Sequence, residues 1–221
     1  MSIKKLLLTI LFIATTIAYS QESYYNNVNL NLTGINLKEE LATKVINTHT
    51  RFLAYSQVWD SSKITDLNPN NNQEVLLIYG WENGTDSNLK NDKTRGINDN
   101  GGSTGNWNRE HVYSQSLGTP TLGESGPGSD AHHLRPADKD WNSTRSNRKF
   151  TAGSGTTSGT QSNGGWFPGD EWKGDVARMM MYMYLRYGDR CLPTNIGFGN
   201  SSSTPDDMID LFLLWNAEDP V

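Results

Sequence analysis

Three of the chain's four histidines, His111, His132 and His133, fall between Trp107 and Phe150, and so do Glu110, Asp130 and Asn142, which offer hard oxygen atoms. From Arg135 to Phe150, five cations (Arg135, Lys139, Arg145, Arg148, Lys149) stand against two acids (Asp138, Asp140), in a protein of formal net charge −5. A base, oxygen ligands for a metal ion and a positive patch are the ingredients of metal-assisted phosphodiester hydrolysis. Histidine is the natural base near neutral pH. A divalent ion held by one carboxylate and one amide oxygen keeps most of its shell as water. That suits Mg²⁺, with Ca²⁺ or Mn²⁺ as alternatives, better than Zn²⁺. Glu110 and Asn142 are the first candidates for that shell, and His111 for the base. Residue types alone leave other readings open, because Glu-His and His-His pairs arise by chance and an Asn in a helix commonly just faces solvent. A zinc hydrolase could use His111, His132 and His133, but neighbouring residues on a strand face opposite ways. No helical His-x-x-x-His pair is present either.

The elements that must position these groups can be read from the patterning. Of 221 residues, 35% are hydrophobic and 19% charged, enough for one sizeable core and outside the disordered class. Residues 1–20 read as a signal peptide: Lys4 and Lys5, an apolar run too short to span a bilayer comfortably, then small residues at Ala18 and Ser20. One domain is expected over 21–221. A net negative chain binds polyanions poorly as a whole, so nucleic-acid contact needs a local basic surface and a bound cation. The lone Cys191 excludes an internal disulfide and reads as a small buried hydrophobe.

In order, the spacing predicts a helix over 36–49 ending near His49, and a buried strand over 74–79. The Asn/Asp/Gly-rich interval 83–105 reads as a solvated loop at the rim of the site. It lacks the ligand spacing of a known calcium loop. A strand over 106–113 carries Glu110 and His111, which can reach one centre only at a strand end or bulge. After a Gly/Pro-rich loop, a second strand over 131–135 is closed by Pro136, and a helix follows over 138–148. On it Asn142, Arg145 and Ser146 share one face. Residues 151–165 read as a flexible connector. A strong helix over 171–187 carries a Met stripe that reads as core, and Arg178, which needs a carboxylate or a phosphate as partner. A last helix is expected to start with Thr204 as N-cap and Pro205 at N1.

The stretch N-R-E-H-V-Y-S-Q-S (108–116), followed by D-A-H-H-L-R-P-A-D-K-D-W-N-S-T-R-S-N (130–147), closely resembles the bacterial endonuclease I family. Members of that family are secreted or periplasmic non-specific nucleases with a ββα-metal site. W-F-P-G-D-E-W-K-G-D-V-A-R-M-M-M-Y-M (166–183) and I-Y-G-W-E-N-G-T-D (78–86) look like the same family. The combined motif is far more specific than any dipeptide within it. The resemblance implies His111 as general base, Glu110 and Asn142 as metal ligands, and hydrolysis of DNA, usually also RNA, to 5′-phosphate ends. Asp130 and His132 match the Asp-x-His ahead of the helix and would orient or buttress the site. Arg178 matches an Arg that approaches the phosphate. Nothing clear is implied for His133. Relatives more often carry Leu where Ala131 stands. They also continue past the equivalent of Val221 with a basic, Asn-rich segment, so a chain truncated at Val221 is one expectation.

The expectation is therefore an α+β fold, a single domain with an embedded ββα-metal (His-Me finger) motif, a mostly helical periphery and long loops. It would be a secreted or periplasmic, monomeric, metal-dependent endonuclease, free of the membrane once the signal is cleaved. It would act on DNA and RNA without sequence specificity, since no recognition helix dense in Arg, Asn and Gln is evident. Arg135, Arg145, Arg148 and Lys149 would hold flanking phosphates. The rivals are a catalytically silent secreted binding domain on the same scaffold and a phosphodiesterase acting on small nucleotides.

Overall fold

Extended backbone at Thr33 opens helix α1, Gly34–Thr48, in a computed structural model that describes residues 23–220. The expected signal peptide lies outside the described residues. The chain forms two compact units, one ending at His49 and the other Thr50–Val221. In the first, α1 stops where the sequence places its end, with the His49 N–H donating to the Val45 carbonyl at 3.2 Å.

The second unit carries the site. It opens with helix α2, Val58–Thr65. Strand β1, Glu74–Leu76, pairs antiparallel with β2, Thr94–Gly96. Part of the interval expected as a loop is thus a strand. Arg95 on it donates to the Gly105 carbonyl and to the carboxylates of Asp92 and Asp138. An ion-pair network fixes polar sequence that hydrophobic periodicity cannot detect.

Strands β3 (Trp107–His111) and β4 (Leu134–Asp138) form an antiparallel ribbon in which Glu110 faces Arg135 and His111 faces Leu134. Pro136, expected to close the second strand, lies inside it opposite Arg109. A two-stranded ribbon tolerates proline because its missing N–H can face the open edge, and the Pro136 carbonyl accepts from Ile78 N at 2.9 Å. The strand starts at 134 because Asp130 accepts from His132 N at 3.0 Å and bends 130–133 into a turn.

Asp138 then caps helix α3, Lys139–Arg145, its carboxylate accepting from Asp140 N and Trp141 N at 2.9 Å. Strand, strand, helix thus follow one another as expected, and the class is α+β. The expected connector 151–165 is ordered. Strand β5 (Gly159–Thr160) pairs with β6 (Trp166–Phe167), and the Ser158 hydroxyl donates to the Tyr79 carbonyl at 2.7 Å.

Helix α4, Lys173–Tyr187, buries Val176, Met179, Met180, Met183 and Tyr184, so the Met stripe is core. Short helix α5 (Pro193–Ile196) precedes α6, Asp210–Glu218, which starts later than the Thr204–Pro205 signal suggests. The residues that would have capped it are engaged elsewhere. The Thr204 hydroxyl donates to Met208 O, and Asp207 accepts from Thr194. Helices α4 and α6 pack with Phe150, Trp166, Phe167, Val112 and Tyr113 into the main core. A buried Trp removes about 200 Å² from water, a gross gain of about 5 kcal/mol. Cys191 is fully buried. No helix among the described residues is long and apolar enough to cross a membrane.

Candidate active site

His111 is the last residue of β3, which resolves the geometric difficulty of two neighbours sharing one centre. Beyond a strand end, alternation no longer forces the side chains apart. Glu110, His111, Asn142 and Arg145 together line a cavity of about 420 Å³.

The His111 ring lies against Tyr55, centroids 5.3 Å apart, and its Nε2 is 2.9 Å from the Gly128 carbonyl. A carbonyl can only accept, so Nε2 carries the proton and Nδ1 keeps its lone pair. Burial lowers the pKa of His111 to about 4, helped by the cations of Arg109 and Arg145 and opposed by the Gly128 bond. At neutral pH the imidazole is a neutral base.

Glu110 is almost fully buried. Its Oε1 accepts from the Tyr79 hydroxyl at 3.0 Å and forms an ion pair with Arg145 Nη1, also at 3.0 Å. Its Oε2 has no partner among the described residues. Burial pushes the carboxyl up to about 7, with the Arg145 charge and the Tyr79 bond working against it. Asn142 donates from Nδ2 to Asn108 Oδ1 at 2.7 Å, which leaves its Oδ1 unengaged. Two hard oxygens, one on a carboxylate that lacks a full complement of cationic partners, fit a hard divalent ion. No cluster of three or more His, Cys, Asp or Glu suited to a metal is found among the described residues.

Arg145 forms part of the site's frame. It is 1% exposed and donates to the carbonyls of His111 (3.0 Å) and Val112 (2.8 Å) and to Ser114 Oγ (2.6 Å). The other candidates lie off the cavity wall. Asp130, buried, accepts from Tyr182 and Tyr187 hydroxyls at 3.1 and 2.7 Å and from Arg186 at 2.9 Å. Burial opposes its ionisation, but bonds from His132 and Tyr187 hold its carboxyl well below the usual range. It ties the loop bearing Gly128 to α4. The His132 side chain, 58% exposed, stacks on Tyr182 at 3.9 Å and contacts Asp130 through Nδ1.

Arg135 pairs with Asp66 at 3.3 Å. Arg148 donates to the carbonyls of Thr144 and Arg145, and Lys149 to that of Thr194 at 2.8 Å. Arg178 has the carboxylate partner its position required, Asp175 at 2.7 Å, and also donates to Asp219 O at 2.6 Å.

The cavity adds residues that the motif did not single out. Arg109 lies on its wall, its guanidinium 3.6 Å from the Tyr55 ring centroid and 4.2 Å from that of Trp59. Arg109 stands inside N-R-E-H and was legible there as a cation beside the acid and base. Beside the cavity wall, Tyr55 stacks on His111 from a stretch that carried no local signal, and Tyr79, bonded to Glu110, comes from the 78–86 segment, which marked no role for it.

The endonuclease I family matches residues 33–221. The extracellular ribonuclease of Bacillus amyloliquefaciens is 40% identical over 208 residues, spanning 90% of this chain and 67% of the relative. The extracellular ribonuclease of Bacillus subtilis (strain 168) is 41% identical over 211 residues, with the same coverage of each.

Proposed function

The chain belongs to the endonuclease I family and is a nuclease, a phosphodiester hydrolase; from that premise we propose that it is exported and cuts RNA and DNA without sequence specificity, using His111 as base and a divalent ion on Glu110 and Asn142. The observation that carries this reading is the tautomer of His111. A neutral ring with Nε2 spent on Gly128 keeps a basic Nδ1 on a residue that lines the same cavity as Glu110 and Asn142. RNA is included because both relatives carry ribonuclease in their names.

His111 Nδ1 takes a proton from water as the water oxygen bonds to phosphorus. The P–O3′ bond breaks, leaving a 5′-phosphate, and the 3′ oxygen takes up a proton from solvent. The ion, Mg²⁺ first with Ca²⁺ or Mn²⁺ as alternatives, supplies neutralisation of charge developing on the phosphate. Tyr79 and Arg145 hold the Glu110 carboxylate in place. Asn108 orients the Asn142 amide. Tyr55 packs on one face of His111, restricting ring rotation and limiting water around it. Asp130 and His132 act at a distance, through the loop that presents Gly128. An ionised Arg109 on the wall offers the phosphate a cation.

The test is degradation of plasmid and RNA by residues 21–221 with Mg²⁺, with EDTA, and with His111→Ala. Cutting abolished by both treatments supports the reading. Cutting that survives His111→Ala removes His111 as the base. No cutting, with metal binding retained, points to a silent binding domain. Hydrolysis of a small nucleotide diester without polymer cutting points to a phosphodiesterase.

A further inference from the structure

Two non-glycine residues among those described have positive φ, Tyr79 at 73° and Ser146 at 54°. Both belong to the site. Tyr79 spends its hydroxyl on Glu110. Ser146 lines the cavity, exposed, one residue after Arg145, and its hydroxyl has no protein partner among the described residues. Its backbone, φ 54° and ψ −134°, ends α3. Helix α4 ends on nearly the same torsions, φ 52° and ψ −130°, and there the chain uses Gly188. The Ser146 N–H donates to Asn142 O at 2.9 Å, a bond that glycine would make equally well. A side chain kept where glycine would be relaxed, with its hydroxyl unspent on a residue that lines the cavity, is a cost consistent with function. The neighbouring cavity residues Ser114, Gln115, Ser116, Thr121 and Asn147 are uncharged hydrogen-bonding groups, a lining suited to the polar atoms of a sugar–phosphate chain.

We propose that Ser146 is a substrate-binding residue whose Oγ–H donates to a backbone oxygen of the nucleic acid, either a phosphate oxygen or the 2′ oxygen of a ribose. This rests on the cavity being the active site.

The experiment measures Tm, and kcat and KM on RNA and DNA oligonucleotides of one sequence, for wild type, Ser146→Gly, Ser146→Ala and His111→Ala. Ser146→Gly should raise Tm by about 2–4 °C as strain is released. It should also lower kcat/KM about three- to tenfold. Ser146→Ala should lose the same activity without gaining stability. An equal loss on RNA and DNA assigns the contact to phosphate, and a loss confined to RNA assigns it to the 2′ oxygen. Unchanged kcat/KM of Ser146→Gly on both substrates, or a lowered Tm, overturns the role of Ser146 provided His111→Ala is inactive. A fully active His111→Ala overturns the underlying reading of the cavity instead.

Discussion

His111 and His133 bond to consecutive carbonyl oxygens of one loop, His111 Nε2 lying 2.9 Å from Gly128 O and His133 Nε2 2.7 Å from Pro127 O. The rings are 5.7 Å apart. The Nδ1 of His133 accepts from Tyr113 N at 3.3 Å, so both its nitrogens are committed inside the protein. Gly128 lets this loop fold back on itself, since a Cβ there would come within 1.9 Å of Gly123 O. One histidine therefore fixes the loop whose next carbonyl sets the tautomer of the other.

Replacing His133 by Ala should have two effects. Loss of its bonds in a fully buried position should cost about 2 kcal/mol, read from urea unfolding. The turnover number should fall about tenfold with KM little changed, because the Gly128 carbonyl loses its support while the substrate wall stays intact. A variant that unfolds more easily but turns over normally would confine His133 to packing.

The pH dependence of stability follows from the same residue. Burial, and then the neighbouring His111, lower the His133 pKa from 6.5 to about 3. The folded state binds fewer protons here than the unfolded state, so the contribution to stability is full above about 6.5 and is lost as pH falls toward about 3. The urea midpoint should drop between pH 7 and pH 4.5, and His133→Ala should flatten that slope. An equal slope in wild type and variant would move the acid sensitivity to other groups.

The candidate trio Glu110, His111 and Asn142 was legible because it sits in one ribbon and the helix after it, where chain order nearly equals spatial order. The positions of the basic residues were not. Arg145 and Arg148 follow Asn142 on the same helix and its exit, but whether a cation faces solvent or a carbonyl is decided by tertiary contacts. Arg145 faces into the protein, toward Glu110 and the end of β3. Similarly, composition marked 151–165 as a flexible connector. Its order comes from partners with no periodicity of their own, such as Ser158 with Tyr79 and Trp141. The start of α6 was missed because Asp206 and Asp207, apt first-turn acids by type, accept from Met208 and Thr194 instead.

The buried pair Glu110–Arg145 sets a sign for mutation of the proposed metal ligand Glu110. Glu110→Gln removes a carboxylate from beside a guanidinium that is 1% exposed, leaving a buried charge with only neutral acceptors. The variant should lose activity at least about a hundredfold. It should also lose about 3 kcal/mol of stability. EDTA should abolish activity without that loss of stability if the ion's role is confined to the reaction. Thermal unfolding of both, beside activity, separates the two effects. A Glu110→Gln protein as stable as wild type would mean that the three remaining acceptors of Arg145 suffice.

Salt dependence tests how much of the basic stretch reaches the substrate. Arg135, Arg148 and Lys149 all have protein partners, a carboxylate in the first case and carbonyls in the others. Arg109 lines the cavity; its Nη1 donates to the Tyr55 carbonyl, and its Nε has no partner among the described residues. Binding a polyanion releases counterions in proportion to the phosphates contacted, so log affinity falls with log salt by about 0.7 per contact on single strands and 0.9 on duplex. With about two cationic contacts, kcat/KM at low substrate should fall about tenfold from 50 to 200 mM salt, against about a thousandfold or more for proteins with six or more contacts. Arg109→Gln should lower activity and flatten the slope by about one contact. Arg135→Gln, Arg148→Gln and Lys149→Gln should each leave the slope unchanged. A slope that flattens in any of those three would mean that its cation leaves its protein partner when nucleic acid binds.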